Sequence, residues 1–241
     1  MFDIVMGYNC FMKKVMITGA SSGIGLEIKK QLNDDSIIDF SFPEFDLRKT
    51  DDVSKVIGTI NKEKPSLLFL NAGVFLDGTF DKHNYKDIED LLKVNLLSNI
   101  RILNEIMPLI INKDIKVVVT LSTASYINGA YESIYNMSKK ALKELIVSIN
   151  TELEYKGIDN KIFMFVPHFI EGTGMTSKEN KPSDILTNMI NDLLKAIKDN
   201  KNQFVANGSF YKTIFKKYQE DPIKQGLESI AYKKEKGKLN E

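Results

Sequence analysis

Val15-Met16-Ile17-Thr18-Gly19-Ala20-Ser21-Ser22-Gly23-Ile24-Gly25 is the stretch on which the fold of this chain turns. Four strand-like residues run into a glycine-rich turn that opens a helix. A turn this tight needs glycine where φ is positive or where a phosphate must approach the backbone. The helix that follows aims its N–H groups and the positive end of its dipole at the same spot, which suits a pyrophosphate. By itself the octad Thr18–Gly25 would equally fit an ordinary strand-to-helix turn. Its strand–turn–helix setting near the start of the domain favours the nucleotide-binding reading, with Gly19, Ser21, Ser22, Gly23, Ile24 and Gly25 as the contacts. It is not a P-loop, because no Gly-Lys-Ser/Thr follows.

Outward from this turn, short apolar runs alternate with longer amphipathic stretches. The strand candidates are Val15–Thr18, Ile37–Ser41, Phe45–Leu47, Leu67–Leu70, Val117–Ser122, Ile162–Val166 and Gln203–Ala206. Helical patterns lie near Gly25–Asn33, Asp51–Asn61, Lys86–Ile111, Ser133–Lys156 and Ser183–Lys198. Alternating β and α, with strands that are apolar on both faces, predicts an α/β fold. The sheet expected is Rossmann-like, doubly wound, mostly parallel and seven-stranded, with helices on both faces. The connection from Ile37 to Asp46 is short, so the crossover between the second and third strands is missing or reduced to a turn. No repeat, low-complexity tract or long linker divides the chain, so residues 12–241 read as one domain. Residues 1–11 read as an extension without secretory character, and about 209–241 as a helical, Lys-rich, solvated tail.

The 33 Lys and Arg nearly balance the 32 Asp and Glu, giving +1 overall and no general pull toward nucleic acid or an anionic membrane. The lone cysteine, Cys10, cannot form an internal disulfide, which fits a cytoplasmic setting. No apolar run approaches the ~18 residues of a membrane span.

Further along, Tyr135-Asn136-Met137-Ser138-Lys139 places a phenol and an ammonium four residues apart. On a helix such residues share a face. A phenol titrates near pH 10, and exchanging its proton near neutrality needs a lowering of ~2–3 units, or roughly 3–4 kcal/mol. A neighbouring ammonium acts in that direction. Alone, the pentad would read as a buried Tyr and a solvated Lys.

Together these motifs resemble the short-chain dehydrogenase/reductase family, in its single-domain branch, over about residues 12–208. Thr18–Gly25 matches the TGxxxGxG turn, and Asn71-Ala72-Gly73 the NAG segment that closes the following strand against the cofactor. Asp46 with Leu47 falls where the family contacts adenine, and Asn95 where a helix kinks. Ser122 stands 13 residues before Tyr135, the family's usual separation. The resemblance implies an NAD(P)-dependent oxidoreductase acting on a carbonyl or secondary alcohol of a small molecule. In it Tyr135 is the general acid and base, Ser122 holds the carbonyl oxygen, Lys139 holds the ribose and lowers the Tyr135 pKa, and Asn95 positions a water. It also implies a homodimer or homotetramer. The alternative is a dinucleotide-binding regulatory protein that kept the fold and lost turnover; the complete set Asn95, Ser122, Tyr135, Lys139 argues against it.

Two departures stand out. The family's Pro-Gly after the sixth strand is here Pro167-His168, and the Thr that meets the nicotinamide amide comes one residue late, at Thr173, with Thr176 or the backbone as the alternative. Residues 168–182 read as a lid. From Ser36 through Asp46 there is no Lys or Arg, and Asp39 stands near the strand end, which favours NAD; NADP through Arg48 or Lys49 is the alternative. His83 reads as a surface residue and His168 as a loop residue near the site. No metal spacing joins them, so no metal is expected.

Overall fold

Every side chain of β1 (Val15–Thr18) and β3 (Leu67–Leu70) is buried, as a central parallel strand requires. The computed structural model describes residues 14–33, 36–129, 131–170 and 184–235. β1 and β3 are joined by β2 (Ile38–Phe40), β4 (Lys116–Thr120), β5 (Phe163–Val166) and β6 (Gln203–Val205) in one sheet of order β2-β1-β3-β4-β5-β6. All neighbours are parallel, with Thr18 opposite both Phe40 and Leu70.

Side chains alternate across each strand, so the two faces hold separate cores. Val15, Ile17, Leu67, Phe69, Val118, Phe163 and Phe165 pack under α1 (Gly23–Leu32) and α6 (Asp184–Lys198), through Ile28, Leu32, Met189, Ile190 and Leu193. Met16, Leu68, Leu70, Val117 and Val119 pack under α2 (Thr50–Glu63), α4 (Ser98–Ile111) and α5 (Ser133–Tyr155), through Val56, Ile60, Ile102, Ile106, Leu142 and Ile146. α3 (Tyr85–Leu92) runs into α4 through a π-helical turn, Lys93–Leu97. The chain leaves β1 toward β2 on one side and crosses back to β3 on the other. The crevice at the carboxyl ends of β1 and β3 is therefore the topological switch point, where doubly wound sheets take ligands.

The sheet has six strands, not the seven expected. Phe45–Leu47 pairs with no strand; its residues lie in turns between β2 and α2. Only four residues separate Phe40 from Phe45, whereas a parallel crossover needs about a dozen. Phe45 instead meets Phe40 edge-on, ring centroids 5.0 Å apart, and Leu47 enters the core beside α2.

Tyr85–Ile111 is, by length and composition alone, apolar enough to cross a bilayer, contrary to the expectation that no segment is; half of the qualifying window is buried inside the domain. The C-terminal α7 (Gly208–Glu220) and α8 (Pro222–Glu235) are exposed over most of their surface but are anchored rather than merely solvated. Tyr126, Phe215 and Tyr211 stack with centroids 4.9 and 5.8 Å apart. The Gln225 side chain, buried, accepts from Asn128 N and donates to Asn128 O. Residues 1–13 and 236–241, which include the expected extension and the end of the tail, lie outside the described residues.

Candidate active site

The glycine turn is shaped first by the strand beside it. Gly19 has φ +72, and a Cβ there would lie 2.7 Å from Ala72 Cα. A Cβ on Gly25 would lie 2.1 Å from Gly19 O and 2.6 Å from Asn71 Nδ2. Only hydrogen fits at either position. Gly23 also has positive φ, 53°. Thr18 Oγ1 accepts from both Asn71 N and Ala72 N at 3.0 Å, and Asn71 Nδ2 donates to Gly19 O at 3.0 Å. The first turn of α1 carries no acidic residue, and Ser22, its exposed N-cap, places no side-chain hydrogen bond over it. A positive helix start free of acidic residues, beneath a backbone cradle, fits a phosphate group.

One strand over, the amide of Asn95 fixes the chain after Asn71-Ala72-Gly73. Asn95 Oδ1 accepts from Val74 N at 2.8 Å, and Nδ2 donates to Val74 O at 2.9 Å and to Ser138 Oγ at 3.4 Å. Ser138 Oγ in turn donates to Tyr135 O at 2.7 Å. Asn95 sits in the π-helical turn and is fully buried. It thereby ties the end of β3 to the part of α5 that lies between Tyr135 and Lys139.

Tyr135 and Lys139 face inward from consecutive turns of α5. Ser122 lies at the end of β4, where its Oγ accepts from Ala124 N at 3.1 Å and caps the turn Thr123–Ser125. It also hydrogen-bonds the Tyr135 phenol. Phe75 meets the Tyr135 ring edge-on at 5.0 Å. Lys139 Nζ donates to Thr120 O at 3.0 Å and lies 5.9 Å from the Tyr135 ring centroid. The site thus places a phenol, a hydroxyl and a buried ammonium beside the switch-point crevice, able to hold an oxygen and exchange a proton with it.

The electrostatics run against the expected lowering of Tyr135. Burial pushes the phenol up to about 12; the Ser122 hydrogen bond opposes this and the Glu132 carboxylate adds to it. Burial pushes Lys139 down to about 8. Desolvation dominates, and the ammonium, which donates to Thr120 O, does not offset it.

The family model for short chain dehydrogenases matches residues 27–184. This chain belongs to the short-chain dehydrogenase family. Among curated relatives, the dehydrogenase RED2 of Cochliobolus heterostrophus is 33% identical over 159 residues, covering 58% of this chain and 60% of that protein. The ketoacyl reductase HetN of a Nostoc species is 24% identical over 232 residues, covering 81% of this chain and 78% of that protein. The match to estradiol 17-beta-dehydrogenase 1 of Rattus norvegicus spans 51% of that enzyme. The first and third alignments therefore span less than two thirds of those relatives. In fold, the chain is similar to a Burkholderia phymatum short chain dehydrogenase/reductase in complex with NAD, with TM-score 0.73 and 18% identity over 88% of this chain and 94% of that one. It is also similar to a Sphingobium yanoikuyae short-chain dehydrogenase in complex with NADPH, with TM-score 0.67 and 20% identity over 90% of this chain and 94% of that one.

Within this family framework, the structure brings Gly19, Gly23, Gly25, Asn71, Ala72, Asn95, Ser122, Tyr135 and Lys139 to the carboxyl ends of β1, β3 and β4. Ser21 and Ser22 are exposed at the start of α1, while Ile24 packs partly into the core under it. Gly73 lies between Ala72 and the clamped Val74. Pro167 is buried after β5 and accepts from Thr123 N at 3.1 Å, next to Ser122. The Asp46 carboxylate is held by Arg48, with Nε to Oδ1 and Nη2 to Oδ2 both at 2.8 Å, and the Arg48 hydrogen bond lowers its pKa. The Leu47 side chain is in the core, which leaves only its backbone for any ligand. Thr173 and most of the expected lid lie outside the described residues. His83 Nε2 is 3.2 Å from Gly78 O, and His168 Nδ1 is 2.8 Å from Phe169 O. Among the described residues no cluster of His, Cys, Asp or Glu is arranged to hold a metal. Thr18, Thr120 and Ser138 carry much of the geometry and were not singled out from the sequence. Thr18 opens the TGxxxGxG motif, and that was their only signal.

Proposed function

We propose that this chain is an NAD(P)-dependent oxidoreductase that interconverts a carbonyl and a secondary alcohol on a small molecule. The observation that carries this reading is the hydrogen-bonded pair Ser122–Tyr135 beside the buried Lys139, at the crevice that the glycine turn borders. When bound, a nicotinamide cofactor supplies or accepts the hydride. Its pyrophosphate would rest on Gly19–Gly25 and the start of α1, its ribose near Lys139, and its nicotinamide near Pro167. A substrate oxygen held by Ser122 and Tyr135 takes a proton from the phenol during reduction and returns it during oxidation. Burial leaves the phenol protonated at neutral pH, so it starts in the acid form, and the lowering that transfer needs would come from the Lys139 charge with the cofactor bound. Lys139, at about 8, is mostly charged at pH 7 and stabilises negative charge that develops on either oxygen. Asn95 holds Val74 and Ser138 and positions the proton-relay water.

NAD is the favoured cofactor. Ser41 Oγ accepts from Ala20 N at 2.7 Å and is itself hydrogen-bonded to the Asp39 carboxylate, so a carboxylate stands at the end of β2 beside the turn. Lys29 is 3.4 Å from that carboxylate, and Arg48 is engaged by Asp46. We further propose a cytoplasmic homodimer or homotetramer, built on the exposed apolar residues Leu97, Ile100, Met137 and Val147 of the helices flanking the site; a monomer in light scattering at micromolar concentration would refute it.

The test is anaerobic titration with NADH and NADPH followed by turnover on a carbonyl panel. Tighter NADH binding with turnover supports the reading. Tighter NADPH binding would overturn the cofactor preference, and binding with no turnover on any carbonyl would favour a regulatory protein.

A further inference from the structure

One charged group beside Tyr135 has no part in that mechanism. Glu132 immediately precedes α5, one turn before the phenol, and its side chain is only 15% exposed. Its carboxylate is ion-paired with Lys233 of α8, and a Cβ on Gly129 would lie 2.2 Å from its Oε2, so the glycine makes room for it. Burial pushes Glu132 up, Lys233 opposes this, and the Asp77 charge reinforces it. Tyr135 is faced by Ser122 from the end of β4, Phe75 from the segment after β3, and Lys139 and Glu132 from its own helix. Glu132 is faced by Lys233 from α8 and by Asp77 from the segment after β3.

We propose that Glu132 and Lys233 form a positioning pair that makes the C-terminal helix part of the proton-transfer apparatus around Tyr135. The proposal rests on the oxidoreductase reading. Lys233 opposes the loss of the Glu132 charge that burial favours, three residues before Tyr135. That negative charge disfavours the phenolate, so the pH at which Tyr135 serves as a base depends on the docking of α8. The other α8 contacts, Gln225 with Asn128 above all, hold the helix in place for this purpose.

The experiment reads the pH dependence of kcat/KM for alcohol oxidation, whose acid limb reports loss of the proton from Tyr135. Glu132→Gln removes the charge and keeps the shape. The limb should move to lower pH by about one to two units, the scale of a unit charge roughly 6–10 Å away at an effective dielectric of about 20. Ultraviolet difference titration to pH 11, against the same proteins carrying Tyr135→Phe, should show more tyrosinate in the Gln variant than in wild type. This second readout does not require turnover. Lys233→Met should displace the limb and Lys233→Arg restore it, while Lys233→Met should be silent in the Glu132→Gln background. A folded Glu132→Gln protein with wild-type nucleotide affinity and an unmoved limb overturns the proposal. If that variant does not fold, an unmoved limb in Lys233→Met overturns it equally. Turnover retained by Tyr135→Phe would instead overturn the oxidoreductase reading, and the tyrosinate titration would still report the coupling of Glu132 to Tyr135.

Discussion

Replacing Lys139 with methionine should stabilise this protein while abolishing its turnover. The ammonium is 2% exposed, and Nζ donates to Thr120 O. Burial lowers its pKa from 10.5 to about 8, and 2.5 units at ~1.36 kcal/mol each put the cost of burying the charge near 3 kcal/mol. Methionine has nearly the same length and removes that cost. It leaves Thr120 O without its donor, at about 1 kcal/mol, for a net gain of about 2 kcal/mol, or roughly 4–8 °C in Tm for a domain of this size. The sign of the pH dependence is fixed. Below pH 8 the lysine is protonated in both folded and unfolded chains, and the cost is present in full. Between about 8 and 10.5 the unfolded chain binds more protons than the folded one, so wild type gains stability as pH rises and the methionine variant does not. The gap should therefore be widest at pH 7 and narrow by pH 9.5, below the range in which Tyr135 itself contributes. Urea denaturation followed by circular dichroism at pH 7, 8.5 and 9.5 measures it. A variant less stable than wild type at pH 7, or a gap that does not narrow, would refute the reasoning.

Tyr135→Phe should reduce turnover at least about 10³-fold while nucleotide affinity changes less than about threefold, since the ring and its packing on Phe75 remain; stopped-flow hydride transfer and fluorescence titration distinguish the two. Gly25→Ala should cost about 1–3 kcal/mol or more, because its Cβ would meet backbone at Gly19 and Ala20, and nucleotide affinity should fall with it; a variant that melts with wild type would contradict the close approach. Asn95→Ala leaves the Val74 N–H and C=O without their side-chain partners, and should lower stability by about 2–4 kcal/mol; chemical denaturation checks it, and amide exchange at Val74 should rise.

What the sequence made legible was whatever depends on local spacing. The Thr18–Gly25 turn and the four-residue offset of Tyr135 and Lys139 survive because a turn or a helix fixes such distances without reference to the rest of the chain. The third strand was misread because Phe45–Leu47 has strand composition, while the need for a crossover is a property of the connection and not of the three residues. The direction of the Tyr135 shift was misread for a related reason. Sequence reveals that a cation is near, but not where its N–H groups point, nor how dry the pocket is. Thr18, Thr120 and Ser138 act through hydroxyls that reach across strands and helices, and no local spacing announces such reach.

The π-helical turn at Lys93–Leu97 has a consequence for how this protein tolerates change. One surplus residue in that turn rotates α3 relative to α4 by about 100°. The two halves can therefore serve different masters: Leu91 and Leu92 lean on the cluster around Tyr135, while Ile102 and Ile106 serve the sheet. Deleting any single residue there would rewind the segment regularly and force one half to turn its apolar side toward water. Length across those five positions should accordingly be guarded more strictly than the identity of most residues that occupy them.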